Sequence, residues 1–545
     1  MGERIDNSFF HQDYSGLRVL VLAPHPDDEI NVAGNVIYTL SKMGAEIFVL
    51  YSTNGDFDGQ QELRFREVER SLAILGVDAE HYELLGYGDT YNNTGRPCHV
   101  YHAEAAMTSP AGHNATYGAG GREEYHYRKH GTHSAYTKND FLADLQEYLL
   151  DVRADVVFCV DYDRHADHRA LSLGFEKVMG DILSRKGNTY FPTVYKRFAY
   201  GTGFTAIQDF SDINLLSVRR PCLDANESYN YDIIDKSVYQ WDLRVRFPVH
   251  ADLRGKFFKD NPMAQAIFAH KSQHNEKNAY GLINSDEVFW QRRTDNLAFK
   301  ADIKAGPEGF GSIAAFQLLD PVDINTEIPE WKNEAWKPRV NSLTDKIVYS
   351  WETPQKISRI CLYGSLMDAY GPKVRITFDD GETVISRELN KQGNPTVVKV
   401  SKENVKELSL QLVDADDDKC GISYCEIFAE ASPAMPIKPY IKILVNDDFA
   451  YSYGCVKDQK EIKLSCYGYG VDEKKIFYKV LSGNAHILGR DILIWENDEP
   501  VRIEAFVEND KSIFDRIELY RVGIREKISN QARTLMNKCY LKMYR

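Results

Sequence analysis

The run Leu17-Arg18-Val19-Leu20-Val21-Leu22-Ala23 is apolar at nearly every position and ends abruptly in Pro24-His25-Pro26-Asp27-Asp28-Glu29. Apolar runs without alternation mark strands buried on both faces, and such strands belong to parallel sheets covered by helices. The residues that follow keep to this plan. Asn31 to Met43 has helical apolar spacing, Glu46-Ile47-Phe48-Val49-Leu50-Tyr51 reads as a strand, and Glu62 to Leu75 reads as a helix stopped by Gly76. Phe141 to Leu150 continues as a helix and Val156-Val157-Phe158-Cys159-Val160 as a strand. This rhythm predicts an α/β domain built on a Rossmann-like, mostly parallel sheet with flanking helices.

From about residue 315 the texture becomes short strands with turn residues. Ile357-Ser358-Arg359-Ile360-Cys361-Leu362-Tyr363, Val374-Arg375-Ile376-Thr377-Phe378 and Leu408-Ser409-Leu410-Gln411-Leu412 read as strands, and Asp380-Gly381 is a hairpin signal. A second β-rich block starts at Tyr440, after the Pro-rich linker 432–439. The predicted organisation is an α/β domain over 1–310, β-sandwiches over 315–432 and 438–520, and a basic helical tail over 521–545. That tail holds seven Lys or Arg residues against the single Glu526, with apolar Ile528, Leu535, Met536 and Leu541 among them. It is a candidate for peripheral contact with an anionic membrane, with a solvated terminal helix as the plainer alternative.

Composition narrows the function classes. Lys plus Arg is 66 and Asp plus Glu is 80, a net charge of −14, which argues against nucleic-acid binding because that needs a basic face. Nowhere does the sequence approach the ~20 consecutive apolar residues of a membrane-spanning helix. The 9 cysteines follow no zinc-finger or disulfide spacing, so a reduced, cytoplasmic protein is expected.

The chemistry concentrates in two loops. His25, Asp27, Asp28 and Glu29 follow the first strand directly, where ligands of an open parallel sheet bind. Imidazole and carboxylate together suit a borderline metal such as zinc and leave a carboxylate over for proton transfer. Helix capping by Asp28 or Glu29 is the alternative, but capping does not account for the neighbouring His and second Asp. His165-Ala166-Asp167-His168 lies just past another strand, with two histidines three apart and an Asp able to orient a ring.

Ala-Pro-His-Pro-Asp-Asp-Glu after a first strand, with a later His-x-Asp-His, resembles the PIG-L/LmbE-like family of zinc-dependent N-acetylglucosaminyl deacetylases. Thr53-Asn54-Gly55-Asp56, the Arg66-Glu67-Val68-Glu69 helix and Leu85-Gly86-Tyr87-Gly88-Asp89 are similar to further elements of that family. The match is dense from Arg18 to about Ala170. Ala166 stands where the family commonly has proline, at a position that offers no ligand.

The resemblance implies an LmbE-like fold and zinc, or another divalent transition metal, held by His25, Asp28 and His168. It further implies Asp27 as general base, His165 stabilising charge or protonating the leaving amine, Asp167 tuning His165, and Arg66 and Asp89 contacting sugar hydroxyls. The expected substrate is an N-acetylated sugar, within a polysaccharide or linked to lipid. An amidase on another acyl-amino substrate and an inactive glycan-binding scaffold are the other readings. Residues 325–430 are similar to discoidin-like (F5/8 type C) sandwiches and the following block to bacterial immunoglobulin-like modules. The insert 92–138, with His99, His102, His113, His126, His130 and His133, is assigned no metal ligand.

Overall fold

A computed structural model describes residues 6–90, 99–161, 165–199, 243–255, 257–275, 282–283, 286–306, 336, 344–364, 371–390, 395–413, 421–430, 435–446, 455–456, 459–521 and 523–544. Counted along the chain, the first strands are β1 (Asp6–Asn7), β2 (Arg18–Ala23), β3 (Glu46–Thr53), β4 (Tyr82–Tyr87), β5 (Val156–Val160), β6 (Thr193–Arg197), β7 (Val245–Pro248) and β8 (Asp286–Arg292). All but β1 form one sheet in the order β4-β3-β2-β5-β6-β8-β7. The first five of these run parallel, and β8 and β7 close the edge antiparallel. Val19 to Ala23 and the whole of β5 are buried, as helices on both faces require.

The helices around it are α1 (Asp28–Lys42), α2 (Gln61–Leu75), α3 (Tyr125–His130), α4 (Lys138–Val152), α5 (Ala166–Ser184) and α6 (Pro262–Ala269). Local chemistry sets their ends. Gly76 stops α2 in the left-handed conformation at φ 82°, and Thr137 caps α4 by accepting the Asp140 N–H at 3.1 Å. Within α1 the backbone kinks at Ala33, and the Val36 N–H donates to the Glu287 carboxylate of β8 at 2.9 Å. A side chain inserted into the helical ladder is a recognised cause of such a kink.

The strand order reverses between β2 and β5: from β2 the chain winds outward through β3 and β4, and from β5 through β6. The crevice at this switch point is where an open α/β sheet binds ligands. The loops leaving β2 and β5 are the two motif loops.

Beyond this domain come β9 (Asp302–Ala305), β10 (Ile347–Gly364), β11 (Lys373–Phe378), β12 (Thr383–Ile385), β13 (Thr396–Val413) and β14 (Ile422–Phe428). Among the described residues they pair antiparallel in the order β12-β11-β13-β10-β14, with β9 on β10. Register shifts between Ser350 and Arg359 bend the two long strands. Residues from both halves of β10, such as Tyr349 and Ile360, therefore reach one apolar core. The hairpin at Asp380-Gly381 joins β11 to β12, with Gly381 at φ 84°.

The final module comprises β15 (Tyr440–Val445), β16 (Cys455–Val456), β17 (Glu461–Tyr469), β18 (Ile476–Ser482), β19 (Ala485–Leu488), β20 (Ile492–Trp495), β21 (Val501–Val507) and β22 (Asp510–Arg521), then α7 (Ile524–Tyr544). Two sheets, β15-β17-β20-β19 and β1-β22-β21-β18, share a core of residues such as Ile443, Leu493, Ile503 and Leu519.

Two expected boundaries move. The first β module begins near residue 297 instead of 315, because Leu297 and Ala298 are buried in its core and β9 joins its sheet. The amino-terminal strand, expected in the α/β domain, pairs instead with β22 through Asp6–Arg516 and Asn7–Asp515. Tyr424, Phe428, Tyr440, Tyr469 and Leu541 are moreover buried in the core of the α/β domain itself. Among the described residues no helix is long and apolar enough to cross a membrane.

Candidate active site

β2 ends at Ala23, and the turn 24–27 delivers Asp28 as the first residue of α1. β5 ends at Val160, and α5 starts at Ala166 with His165 as its cap, the ring Nδ1 accepting the Asp167 N–H at 3.2 Å. Because β2 and β5 are neighbours, the side chains of the two turns meet.

One oxygen of Asp28 joins both motifs. Asp28 Oδ2 lies 2.9 Å from His25 Nδ1 and 3.2 Å from His168 Nε2, and Asn31 donates to the other oxygen at 3.0 Å. His25, Asp28 and His168 are all buried. His25 Nε2 reaches Asp167 Oδ2 at 3.1 Å and Asp89 Oδ1 at 3.7 Å. The His165 ring sits 4.6 Å from that of His25 and 4.8 Å from that of His168.

These contacts set the charges. Burial pushes the Asp28 carboxyl up, but His168 and His25 outweigh it and hold the group well below its usual range. Burial pushes the His25 imidazole down, and Asp89, Asp167 and Asp28 together lift it well above its ordinary value. His165 is depressed by burial and by its two histidine neighbours.

The donor set fits a divalent metal. Neighbouring ligand atoms around a tetrahedral zinc stand roughly 3.3 Å apart, the spacing of the two contacts at Asp28 Oδ2. Among the described residues, the groupings whose ligand atoms all lie within 4.8 Å of one another are His25–His165–His168 and His25–Asp89–His165–Asp167, and Asp28 belongs to neither. The cluster can hold a metal ion, and imidazole with carboxylate is the set a borderline ion takes.

Asp27 stands beside this cluster, outside those groupings. Arg64 Nη2 donates to its Oδ1 at 3.1 Å and Asn275 Nδ2 to its Oδ2 at 2.9 Å. Arg64 Nη1 also lies 3.5 Å from Asp89 Oδ2. The arginine of α2 at the site is thus Arg64, and the expected Arg66 is exposed. Helical phase explains the correction: Arg64, Glu67, Val68 and Ser71 share the buried face, from which residue 66 is turned by about 200°. Asp89, expected on the sugar rim, is buried against His25 and Arg64. Asp167, expected to tune His165, is 3.8 Å from it and closer to His25, and accepts from the Thr90 N–H at 3.0 Å and hydroxyl at 2.5 Å.

Sequence reasoning missed the segment after α6. Besides Asn275 it supplies His270, whose Nε2 is 2.6 Å from Glu29 Oε1, and Ser272, which donates to Glu67 at 2.6 Å. The histidine after the apolar helix 262–269 was the one available signal. In the insert, His126, His130 and His133 pair with Asp144, Glu147 and Glu124 and join no metal grouping among the described residues. Residues 91–98 and the side chains of His99 and His102 lie outside the described part.

Residues 20–179, which contain both motif loops, match the PIG-L family, described as GlcNAc-PI de-N-acetylase. Residues 296–428 match DUF7402, a domain of unknown function. Over 83 residues the chain is 35% identical to 1D-myo-inositol 2-acetamido-2-deoxy-alpha-D-glucopyranoside deacetylase of Corynebacterium efficiens, covering 12% of this chain and 27% of that protein. Over 99 residues it is 33% identical to the protein of the same name in Corynebacterium glutamicum, covering 15% and 33%. The chain thus spans a third or less of the length of these relatives. Among solved structures it is similar to N,N'-diacetylchitobiose deacetylase from Pyrococcus horikoshii, with TM-score 0.23, 21% identity and coverage of 34% of this chain and 61% of that one. It is also similar to a deacetylase of the teicoplanin biosynthesis pathway, with TM-score 0.28, 13% identity and coverage of 51% and 99%.

Proposed function

We propose that this chain is a metal-dependent deacetylase of the PIG-L type that hydrolyses the N-acetyl group of a GlcNAc-type sugar and releases acetate. The observation that carries the reading is the convergence of two loops at the sheet's switch point. There one buried carboxylate oxygen faces two imidazoles, and a second carboxylate, Asp27, is clamped alongside by Arg64 and Asn275. The curated relatives, which act on an N-acetylated glucosaminyl-inositol, support the sugar class.

His25, Asp28 and His168 would hold the metal, with zinc the ion that best suits two imidazoles and a carboxylate. A bound zinc ion supplies Lewis acidity toward an amide oxygen and makes water more acidic. Asp27 takes the proton of the attacking water at a carboxylate oxygen. Arg64 and Asn275 fix the direction in which that oxygen faces. The water oxygen becomes part of acetate, the C–N bond breaks, and the amine leaves with the proton. His165 acts from the opposite side. Its Nδ1 accepts the Asp167 N–H, so a neutral ring carries its hydrogen on Nε2 and can donate it to developing negative charge. Asp89 and Arg64 shape the floor beside His25. The sugar belongs to a larger molecule, a polysaccharide or a lipid-linked intermediate, which the β-rich modules help to hold.

The test is acetate release from diacetylchitobiose, N-acetylglucosaminyl-inositol and N-acetylated glycolipids by the metal-loaded protein, beside a chelated control and Asp27→Asn. Metal-dependent release that Asp27→Asn lowers at unchanged metal content supports the proposal. Cleavage of a non-sugar amide with no acetate released from any sugar would replace it with the amidase reading.

A further inference from the structure

Among the described residues, helix α7 is held on one side only. Its inner face carries the buried Arg533, Asn537 and Leu541 and rests on the α/β domain. Asn537 Oδ1 accepts the Phe258 N–H at 3.1 Å, Tyr544 stacks on Phe268 with ring centroids 4.7 Å apart, and Gln265 donates to the Tyr540 hydroxyl at 3.0 Å. The helix is therefore a fixed element of the body. It packs against α6, the helix that leads into the segment carrying His270 and Asn275.

The outer face is apolar. Ile524 is 78% exposed, Ile528 62%, Leu535 65% and Met543 70%. At about 100° per residue Ile524, Ile528 and Leu535 fall within roughly 40° of arc, on the side opposite Arg533, Asn537 and Leu541. Ala532 and Cys539 continue the stripe and are exposed too. A row of aliphatic side chains this open, on a helix already packed, is not the unused half of a core.

Charge says what covers it. Arg525, Lys527 and Lys538 are exposed and edge the stripe, and the exposed Lys542 stands within it at its carboxyl end, in a chain whose net charge is −14. The single carboxylate of the helix, Glu526, is turned inward and accepts from Arg533 at 2.6 Å. An apolar strip bordered by cations, with the polar side facing the protein, is the pattern of a helix lying in a bilayer interface. Aliphatic side chains enter the acyl boundary while lysine and arginine stems carry their charges to the headgroups. A second copy of the same helix fits worse, since its own row of cations would meet this one.

We propose that the outer face of α7 docks the protein on a membrane surface bearing anionic lipid headgroups. The docking does not depend on which amide the active site cleaves. The experiment is sedimentation of the full chain with phosphatidylcholine vesicles, with and without phosphatidylglycerol. The wild type should bind the anionic vesicles, and bind less as salt is raised. Ile528→Ser/Leu535→Ser and Lys538→Gln/Lys542→Gln should each weaken binding. At about 1 kcal/mol per basic residue, the charge pair is worth roughly thirtyfold. These positions are exposed, so an unchanged thermal midpoint and unchanged acetate release from a small sugar exclude misfolding as the cause. No binding to anionic vesicles overturns the proposal, as does equal binding by both double variants. A Leu535→Ser change that converts a dimer to a monomer in solution would assign the face to a second copy instead.

Discussion

Asn275 is the most revealing residue to change. It reaches Asp27 from 248 positions away and donates to Asp27 Oδ2 at 2.9 Å inside a buried site. A hydrogen bond to a charged group contributes about 1.5–3 kcal/mol. Arg64 still holds the other oxygen at 3.1 Å, so Asn275→Ala leaves the carboxylate on one anchor. The loss should then fall at the lower end, about ten- to thirtyfold in kcat, at roughly 1.4 kcal/mol per factor of ten. KM and metal content should stay near wild type, because the bond that is lost goes to Asp27, which is not one of the expected metal ligands. Asn275→Asp is the companion variant. It sets a second carboxylate against the first, and the acid limb of the kcat profile should move to higher pH as the pair shares a proton. Steady-state acetate release across pH, with elemental analysis of each preparation, measures all of this. If the alanine variant is folded, metal-loaded and within about twofold of wild-type kcat, the clamp around Asp27 has no part in turnover.

Three further outcomes are expected. His25→Ala, Asp28→Ala and His168→Ala should each lower metal content sharply in elemental analysis, and full occupancy in any one removes that residue from the ligand set. Arg64→Ala should cost about 3–5 kcal/mol in denaturant unfolding, as loss of a buried cation between carboxylates does, whereas Arg66→Ala should stay within about 0.5 kcal/mol. Lys442, buried in β15, is pushed down from its usual 10.5 to about 7 by burial, Arg254 and Arg246. Between those values the unfolded chain holds the proton and the folded one does not, so this group makes stability rise with pH at up to about 1.4 kcal/mol per unit. Lys442→Met should therefore stabilise the protein most at pH 7 and below, with the gain shrinking toward pH 10.5 in melts across that range.

What was readable beforehand follows the reach of each interaction. The sheet was legible because β2 and β5 are buried on both faces and write that fact as uninterrupted aliphatic runs. His25, Asp27 and Asp28 were legible because one turn carries them, and His165 to His168 because one cap does. Arg64 was not, since a helix with arginines at 64 and 66 does not declare its phase until the neighbouring β3 and β4 fix which side is buried. Asn275 and His270 come from a segment without catalytic composition and become part of the site only through packing. The first β module was legible only in part, for a related reason. Alternation identified its strands, but the bulges that fold β10 and β13 over a single core leave no mark in a pattern of period two.

The pairing of Asp6 with Arg516 has a consequence for how the molecule is made. The two residues are 510 positions apart. On a ribosome adding roughly 5–20 residues per second, the amino-terminal strand waits on the order of 25–100 s before its partner exists. The α/β sheet, whose strands lie between residues 18 and 292, can close in that interval. The module holding β22 cannot, because its edge strand β1 leaves the tunnel about 510 residues before the strand it adjoins. Nascent chains halted after β8 has emerged and before β22 should thus carry a folded α/β sheet with β1 still unpaired. A bulky fusion placed just before β1 would be felt not by the α/β sheet beside it in sequence but by the distant module that holds β22.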